Sequence, residues 1–305
     1  MAMRKLTALL VFVVTLVFCA PAFADDQAQE ILKQARKAIG GEDALEKIQG
    51  LNINGKYTRM LGDRQMAGDR DVSIMLPDKY LVEDAFNPGG LSTALITTRG
   101  MNGDHAWNAS SGGGGNMIFR MGGPGGQQAS PEEIERLLRR QCQIELTRYL
   151  LAILVTPTTS LPLEYKYAGE SEVDDAKADV LDVTGPDKFA VRLFFDKQSH
   201  LPLLLSYRGI KPRIMTMTRS VGAGGNSADA IKKAREEAEK KMAAEPEQKP
   251  EEVDFFIRLS EHKKSNGLLL PYKLTFLTDS DVSEEFEISK YQVNPQFKSD
   301  KFEKH

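Results

Sequence analysis

The chain has 305 residues, of which 40 are basic and 43 acidic, giving a net charge of −3 and a pI near 5.9. Hydrophobic residues make up 41% and charged residues 27%, a globular composition rather than a disordered one. The mild acidity excludes a broad nucleic-acid surface, and two cysteines exclude both a disulfide framework and a Cys-rich zinc site.

The first residues read as an export leader. Arg4 and Lys5 precede an apolar run of 13 residues from Leu6 to Phe18, followed by Pro21-Ala22-Phe23-Ala24 and then Asp25. A charged start, an apolar middle and an Ala-x-Ala end form a cleavable signal peptide. The run is too short to span a bilayer. Cleavage is expected after Ala24, which places the protein in the periplasm. It leaves 281 of the 305 residues and removes Arg4 and Lys5, so −3 becomes −5. Cys19 follows the bulky Phe18 and is not expected to carry a lipid anchor. Cys142 then remains as the one cysteine, on a helix, and reads as a buried thiol.

The spacing of Ile31, Leu32, Ala35, Ala38 and Ile39 predicts an amphipathic helix over 27–39, stopped by Gly40-Gly41. A short helix with Ala44, Leu45 and Ile48 on one face follows. From residue 51 the period changes to two. Leu51, Ile53, Gly55 and Tyr57 alternate with polar residues, and strands at 72–76, 80–86, 91–99 and 105–107 complete about five strands of an antiparallel meander. Residues 110–128 are glycine-rich and lack the Gly-Lys-Ser/Thr ending of a phosphate loop. Met117, Ile118, Phe119 and Met121 interrupt the glycines, and we take them as lid candidates that rest over a groove.

Ser130-Pro131-Glu132-Glu133 is a strong helix start. The helix is expected to run to about Val155, apolar enough to require burial of most of its surface. About six more strands follow. Phe189, Val191, Leu193 and Phe195 share one face, as do Phe255, Ile257 and Leu259, and Tyr272, Leu274 and Phe276. Residues 210–252 interrupt them with a charged helix over 227–244 that has almost no apolar stripe, a solvated excursion or a partner-binding arm.

Chemical motifs are missing. His105, His200, His262 and His305 are scattered, and there is no HExxH, no Cys/His ligand spacing and no GxSxG. Asp174-Asp175 lacks the spacing of a calcium loop. No catalytic residue, metal or cofactor is expected, and Trp107 reads as core or cavity lining.

Several phrases punctuate the strands: Ile39-Gly40-Gly41-Glu42-Asp43-Ala44-Leu45, Phe194-Phe195-Asp196-Lys197 with Leu201-Pro202, Leu270-Pro271-Tyr272-Lys273, and Val293-Asn294-Pro295 with Phe302-Glu303. With these phrases, the order leader, helix, five strands, helix, six strands resembles the lipoprotein-localisation carrier (LolA-like) family of the bacterial envelope, among them outer-membrane lipoprotein-sorting proteins. The resemblance covers the mature chain except 110–128 and 210–252. It implies an α+β fold with one strongly curved antiparallel sheet, an open half-barrel, whose concave face is covered or plugged by helices.

Alternation on each strand implies one continuous apolar surface, and an antiparallel sheet can keep its other face wet. If the helix over 131–155 fills the concavity, an ordinary core results; if it does not, a cavity for acyl chains remains. The expected cavity lining is Phe189, Val191, Leu193, Phe195, Phe255, Ile257, Leu259, Tyr272, Leu274 and Phe276. The expected function is a monomeric, non-enzymatic periplasmic carrier of lipid or lipoprotein acyl chains, with transient membrane contact and no nucleic-acid partner. The alternative is an envelope protein-interaction module that uses 210–252 and the sheet surface.

Overall fold

A computed structural model describes residues 21–61, 64–87, 94–112, 130–156, 161–211 and 251–304. Residues 1–20 of the expected 24-residue leader, the four lid candidates and the charged helix of 227–244 lie outside the described residues.

Two helices open the described chain, α1 (Pro21–Ile39) and α2 (Glu42–Leu45). Five strands follow, β1 (Gly50–Leu61), β2 (Arg64–Met75), β3 (Lys79–Phe86), β4 (Leu95–Asn102) and β5 (His105–Gly112). Then come α3 (Pro131–Leu154), β6 (Glu164–Val173), β7 (Ala176–Thr184), a 3-10 turn (Pro186–Lys188), β8 (Ala190–Asp196) and β9 (Pro202–Ile210). The chain closes with β10 (Glu252–Ser265), β11 (Leu268–Thr278) and β12 (Asp281–Val293). Seven strands thus follow α3 where about six were expected.

All twelve strands form one antiparallel sheet in the order β5-β4-β3-β2-β1-β12-β11-β10-β9-β8-β7-β6. β5 and β6 are its two edges and do not pair with each other, so the sheet is open. Helix α3 touches β4 and β5 at one end of this order and β9 and β11 in the other half. A single helix can reach both only if the sheet curls around it. The fold is therefore an α+β half-barrel with a helix in its concavity, as expected.

Local chemistry accounts for the helices. In α1, Ala28, Ile31, Leu32, Ala35 and Ile39 form the buried stripe, and the helix lies across β6 and β11. Gly41, at φ 93°, ends it in a conformation that side chains with a Cβ rarely adopt. At the start of α3 the Ser130 Oγ accepts from the Glu133 N–H at 3.2 Å, and the Glu133 carboxylate accepts from the Ser130 N–H at 3.0 Å. This is a full capping box, with Pro131 at the first helical position. Val155 closes the helix in the left-handed region, and its carbonyl accepts from Arg36 Nε of α1 at 3.0 Å.

The outer face carries a second, smaller core. After β12, Asn294 reverses the chain by accepting from the Gln49 N–H (2.7 Å) and donating to the Lys47 carbonyl (2.8 Å). The C-terminal segment then crosses the outside of the sheet, and Phe302 packs with Leu81 and Trp107. Trp107, expected as core or cavity lining, is buried in this outer cluster. Its ring lies across Gly100, the residue directly opposite on β4, where a Cβ would run into the indole. Gly100→Val is expected to displace the ring and destabilise the protein by ~2 kcal/mol. Thermal unfolding followed by the fluorescence of this single tryptophan checks it, and an unchanged midpoint and emission maximum would refute the packing.

Candidate functional site

Strand register assembles the concave surface row by row. One row runs Leu181, Leu193, Leu205, Ile257, Phe276, Glu284, Arg59 across β7, β8, β9, β10, β11, β12 and β1. The next runs Leu259, Leu274, Phe286, Tyr57 across β10, β11, β12 and β1. A third brings Gly55, Arg70 and Asp84 together on β1, β2 and β3. The surface is therefore not continuously apolar. Its β7–β11 part, the greasy half, is apolar throughout, whereas on β1–β3 and β12 a cluster of paired charges sits among buried apolar residues such as Ile53, Val72, Val82 and Phe86.

The expected lining residues fall in the greasy half. Phe189, Val191, Leu193, Phe195, Ile257, Leu259 and Leu274 are buried in the main core, with Tyr272 and Phe276 packed against it. Phe255 stacks on Tyr207 of β9, with ring centroids 5.1 Å apart. Phe189 ends the 3-10 turn rather than belonging to a strand, yet it points into the same core.

Helix α3 occupies the space above them. Leu146, Leu150, Leu151, Ile153 and Leu154 are each at most 2% exposed. Where α3 passes Phe189 the gap is about 20 Å³, lined also by Ile144, Leu161 and Pro186. That is room for one water and not for an acyl chain. The first turns of the same helix differ: Ile134 is 47% exposed and Leu137 52%. Polar contacts hold this exposed part. Arg139 pairs with Asp104 at 2.5 Å, His105 Nδ1 lies 2.9 Å from Glu135, and Arg140 donates to the Asp187 carbonyl.

Deeper in, Glu145 of α3 pairs with Arg99 of β4 at 2.7 Å, and Arg148 lies over the Tyr207 ring, 3.3 Å from its centroid. Burial pulls the Arg148 pKa down, partly offset by Tyr207 and Glu145, and its Nε–H has no acceptor among the described residues. Cys142 is fully buried, its Sγ 3.8 Å from the Gly100 carbonyl. Burial, reinforced by Glu145, pushes its thiol up to about 12, so it is the inert thiol the sequence suggested.

The charged cluster on β1–β3 and β12 is a closed network. Arg70, 5% exposed, makes a two-pronged contact with Asp84 at 2.6 and 2.8 Å and stacks on the Tyr57 ring, 3.3 Å from its centroid. Arg59 donates to the Tyr57 hydroxyl at 3.1 Å and to Glu284 at 3.0 Å. Burial alone would lift the Glu284 carboxyl, but Arg70 and Arg59 outweigh it and hold it below the ordinary range. The sequence reading missed this network. Its trace was present, since Asp84 sits at an inward position between Val82 and Phe86, but its partners are set by register. Among the described residues no three His, Cys, Asp or Glu side chains are placed to hold a metal ion. No helix among them is long and apolar enough to cross a membrane.

No family model and no curated protein matches the chain. Among solved structures, the chain is similar to a LolA superfamily protein from Nitrosomonas europaea, with 13% identity, a TM-score of 0.47 and coverage of 91% of this chain and 97% of that one. It is also similar to an outer membrane lipoprotein-sorting protein domain from Vibrio parahaemolyticus, with 9% identity, a TM-score of 0.45 and coverage of 90% and 97%. A third is a DUF1329 family protein from Desulfovibrio piger, with 11% identity, a TM-score of 0.42 and coverage of 90% and 97%. The half-barrel assignment itself rests on strand order and register.

Proposed function

We propose that this chain is an exported, non-enzymatic carrier that takes an apolar ligand, a lipid or lipoprotein acyl chain, between α3 and the greasy half of the sheet. One observation supports this above the others. Of the two helices packed on the concave apolar surface, α1 buries its stripe across β6 and β11, while α3 has a buried C-terminal half and first turns that leave Ile134 and Leu137 in solvent. The energies of exchange are comparable. Five buried aliphatic side chains of α3 contribute on the order of 10 kcal/mol. An acyl chain of about 16 carbons contributes ~12 kcal/mol at ~0.8 kcal/mol per CH₂. A ligand can therefore take over the helix's seat without a large net cost, which a helix sealed on all sides would not allow. Phe189, Val191, Leu193, Phe195, Phe255, Ile257, Leu259, Tyr272, Leu274 and Phe276 are the proposed lining. The leader is removed after Ala24, and residues 25–305 act as one periplasmic unit.

Native mass spectrometry of the protein recovered from the periplasm of its own cells tests this reading. The expected spectrum is a chain beginning at Asp25 with adducts of lipid mass that organic extraction removes. Replacing Leu193 and Ile257 together by Gln, on the greasy rows, is expected to abolish the adducts. A spectrum free of lipid in protein from its native envelope would overturn the carrier role.

A further inference from the structure

Between α3 and the sheet the charges do not cancel. Arg70 pairs with Asp84 at 2.6 Å, Arg59 with Glu284 at 3.0 Å, and Arg99 with Glu145 at 2.7 Å. These groups share one space with Arg148. Tyr149 feels Arg70, Asp84, Glu145 and Glu284, and Tyr207 feels Arg148, Glu145 and Glu284. Asp84, Glu284 and Glu145 each have a guanidinium of their own. Arg148 is the guanidinium left over. Among the described residues it makes no ion pair and donates no hydrogen bond, and its Nε–H is buried without an acceptor.

The contact it does make is with the face of the Tyr207 ring, 3.3 Å from the centroid. A ring face attracts a cation but offers no lone pair to the five guanidinium N–H groups. Burial accordingly pulls the Arg148 pKa down. The position is equally informative. Tyr207 stacks on Phe255, and these two cross-strand partners lie two residues along from Leu205 and Ile257 of the greasy rows. Arg148, Tyr207 and Phe255 are all part-exposed, so an ion can reach the guanidinium from water. An unmatched cation therefore stands at the end of an apolar surface. A carboxylate or phosphate ester would supply both the missing charge and the missing acceptors, in the geometry a guanidinium favours. An uncharged glycerol head supplies no charge, and a head bearing only an ammonium group adds a like one.

We infer that Arg148 binds the anionic head of the ligand, a carboxylate or phosphate ester, while the ligand's acyl chain lies along the greasy rows. This rests on the carrier reading above and adds the ligand's charge to it. Because Arg148 belongs to α3, the contact moves with the helix when a chain enters beneath it.

Isothermal titration calorimetry of the full mature chain at neutral pH tests the assignment. Decanoate and monodecyl phosphate are compared with the uncharged monodecanoylglycerol, each below its micellar concentration, and with acetate and inorganic phosphate. The two anionic amphiphiles are expected to bind at least ~10-fold more tightly than the neutral one, and the tailless anions are not expected to bind up to ~10 mM. Arg148→Met is expected to bring the three amphiphile affinities within ~2-fold of one another. Should that variant fail to fold, Arg148→Gln takes its place. Equal binding of charged and neutral amphiphiles to the parent overturns the inference and leaves the carrier reading standing, as does a preference that survives in a folded Arg148 variant. Acetate or phosphate binding as tightly as the amphiphiles overturns it in favour of a free-anion site. Absence of binding by all three amphiphiles overturns both readings.

Discussion

Arg70→Ala is expected to lower stability by about 3–5 kcal/mol, the usual cost of removing one partner from a buried ion pair. For a chain of this size that is a fall of ~10 °C or more in Tm. The reason is local. Asp84 is nearly buried and its closest cationic partner is Arg70 at 2.6 Å, with Arg59 at 3.9 Å. Glu284 loses one of the two guanidinium groups that hold its carboxyl low. The Tyr57 face loses the cation stacked on it. The companion Arg70→Met/Asp84→Leu removes both charges and leaves nothing unpaired, so it is expected to lie within ~1 kcal/mol of the parent.

The pH dependence follows from Glu284. Its folded pKa lies below its unfolded value, so its contribution is present above the unfolded pKa, near 4.3. That contribution is lost as pH falls through the lower folded value. The parent should therefore lose stability on acidification below about pH 4.3, and Arg70→Ala should show a shallower slope over that interval. Thermal melts from pH 7 to pH 3 measure both effects. A single variant that melts within about 2 °C of the parent at pH 7 would mean that the network stabilises nothing.

The second large effect concerns Cys142. At pH 8 an unperturbed thiol near 8.5 is about one-quarter ionised, whereas one near 12 is ionised about once in 10⁴ molecules. Since the thiolate is the reacting form, alkylation by iodoacetamide is expected to be slower by at least ~10³-fold than in the same chain unfolded in guanidinium chloride. Exclusion of the reagent by the packed α3 adds to this. Cys142 is therefore a reporter of helix position. With phosphatidylglycerol–phosphatidylethanolamine vesicles present, acyl-chain entry beneath α3 should lift it from Gly100 and raise the rate at least ~10-fold. Lipid binding with no change in the alkylation rate would show that the helix stays seated, and the greasy rows would then be core and nothing more.

Much of this architecture was legible in the chain itself. Period-two alternation marked strands such as β1, β2, β8, β10 and β11, because inward and outward side chains of a half-buried sheet must differ. Ser130-Pro131-Glu132-Glu133 marked the start of α3, because its cap is closed by residues three apart. Gly40-Gly41 marked the end of α1 for an equally local reason. The greasy lining at Val191, Leu193, Ile257, Leu259 and Leu274 could also be read from alternation.

Other features depend on which distant residues the register makes neighbours. Arg59 meets Glu284 across 225 positions, so nothing near either residue announces the pair. Register also set a cluster of paired charges into the expected apolar surface, at Arg59, Arg70, Asp84 and Glu284. Trp107 packs in the outer core, opposite Gly100 on the neighbouring strand, which leaves room for the ring. The sequence by itself determined that this protein is a curved antiparallel sheet with an apolar inner face and a helix obliged to bury itself. Only the tertiary structure decided that the C-terminal half of α3 is buried against that face and that the C-terminal segment packs a second, smaller core on the outside. Alternation is a property of neighbours in the chain, whereas filling, pairing and cavity formation are properties of segments brought together from far apart.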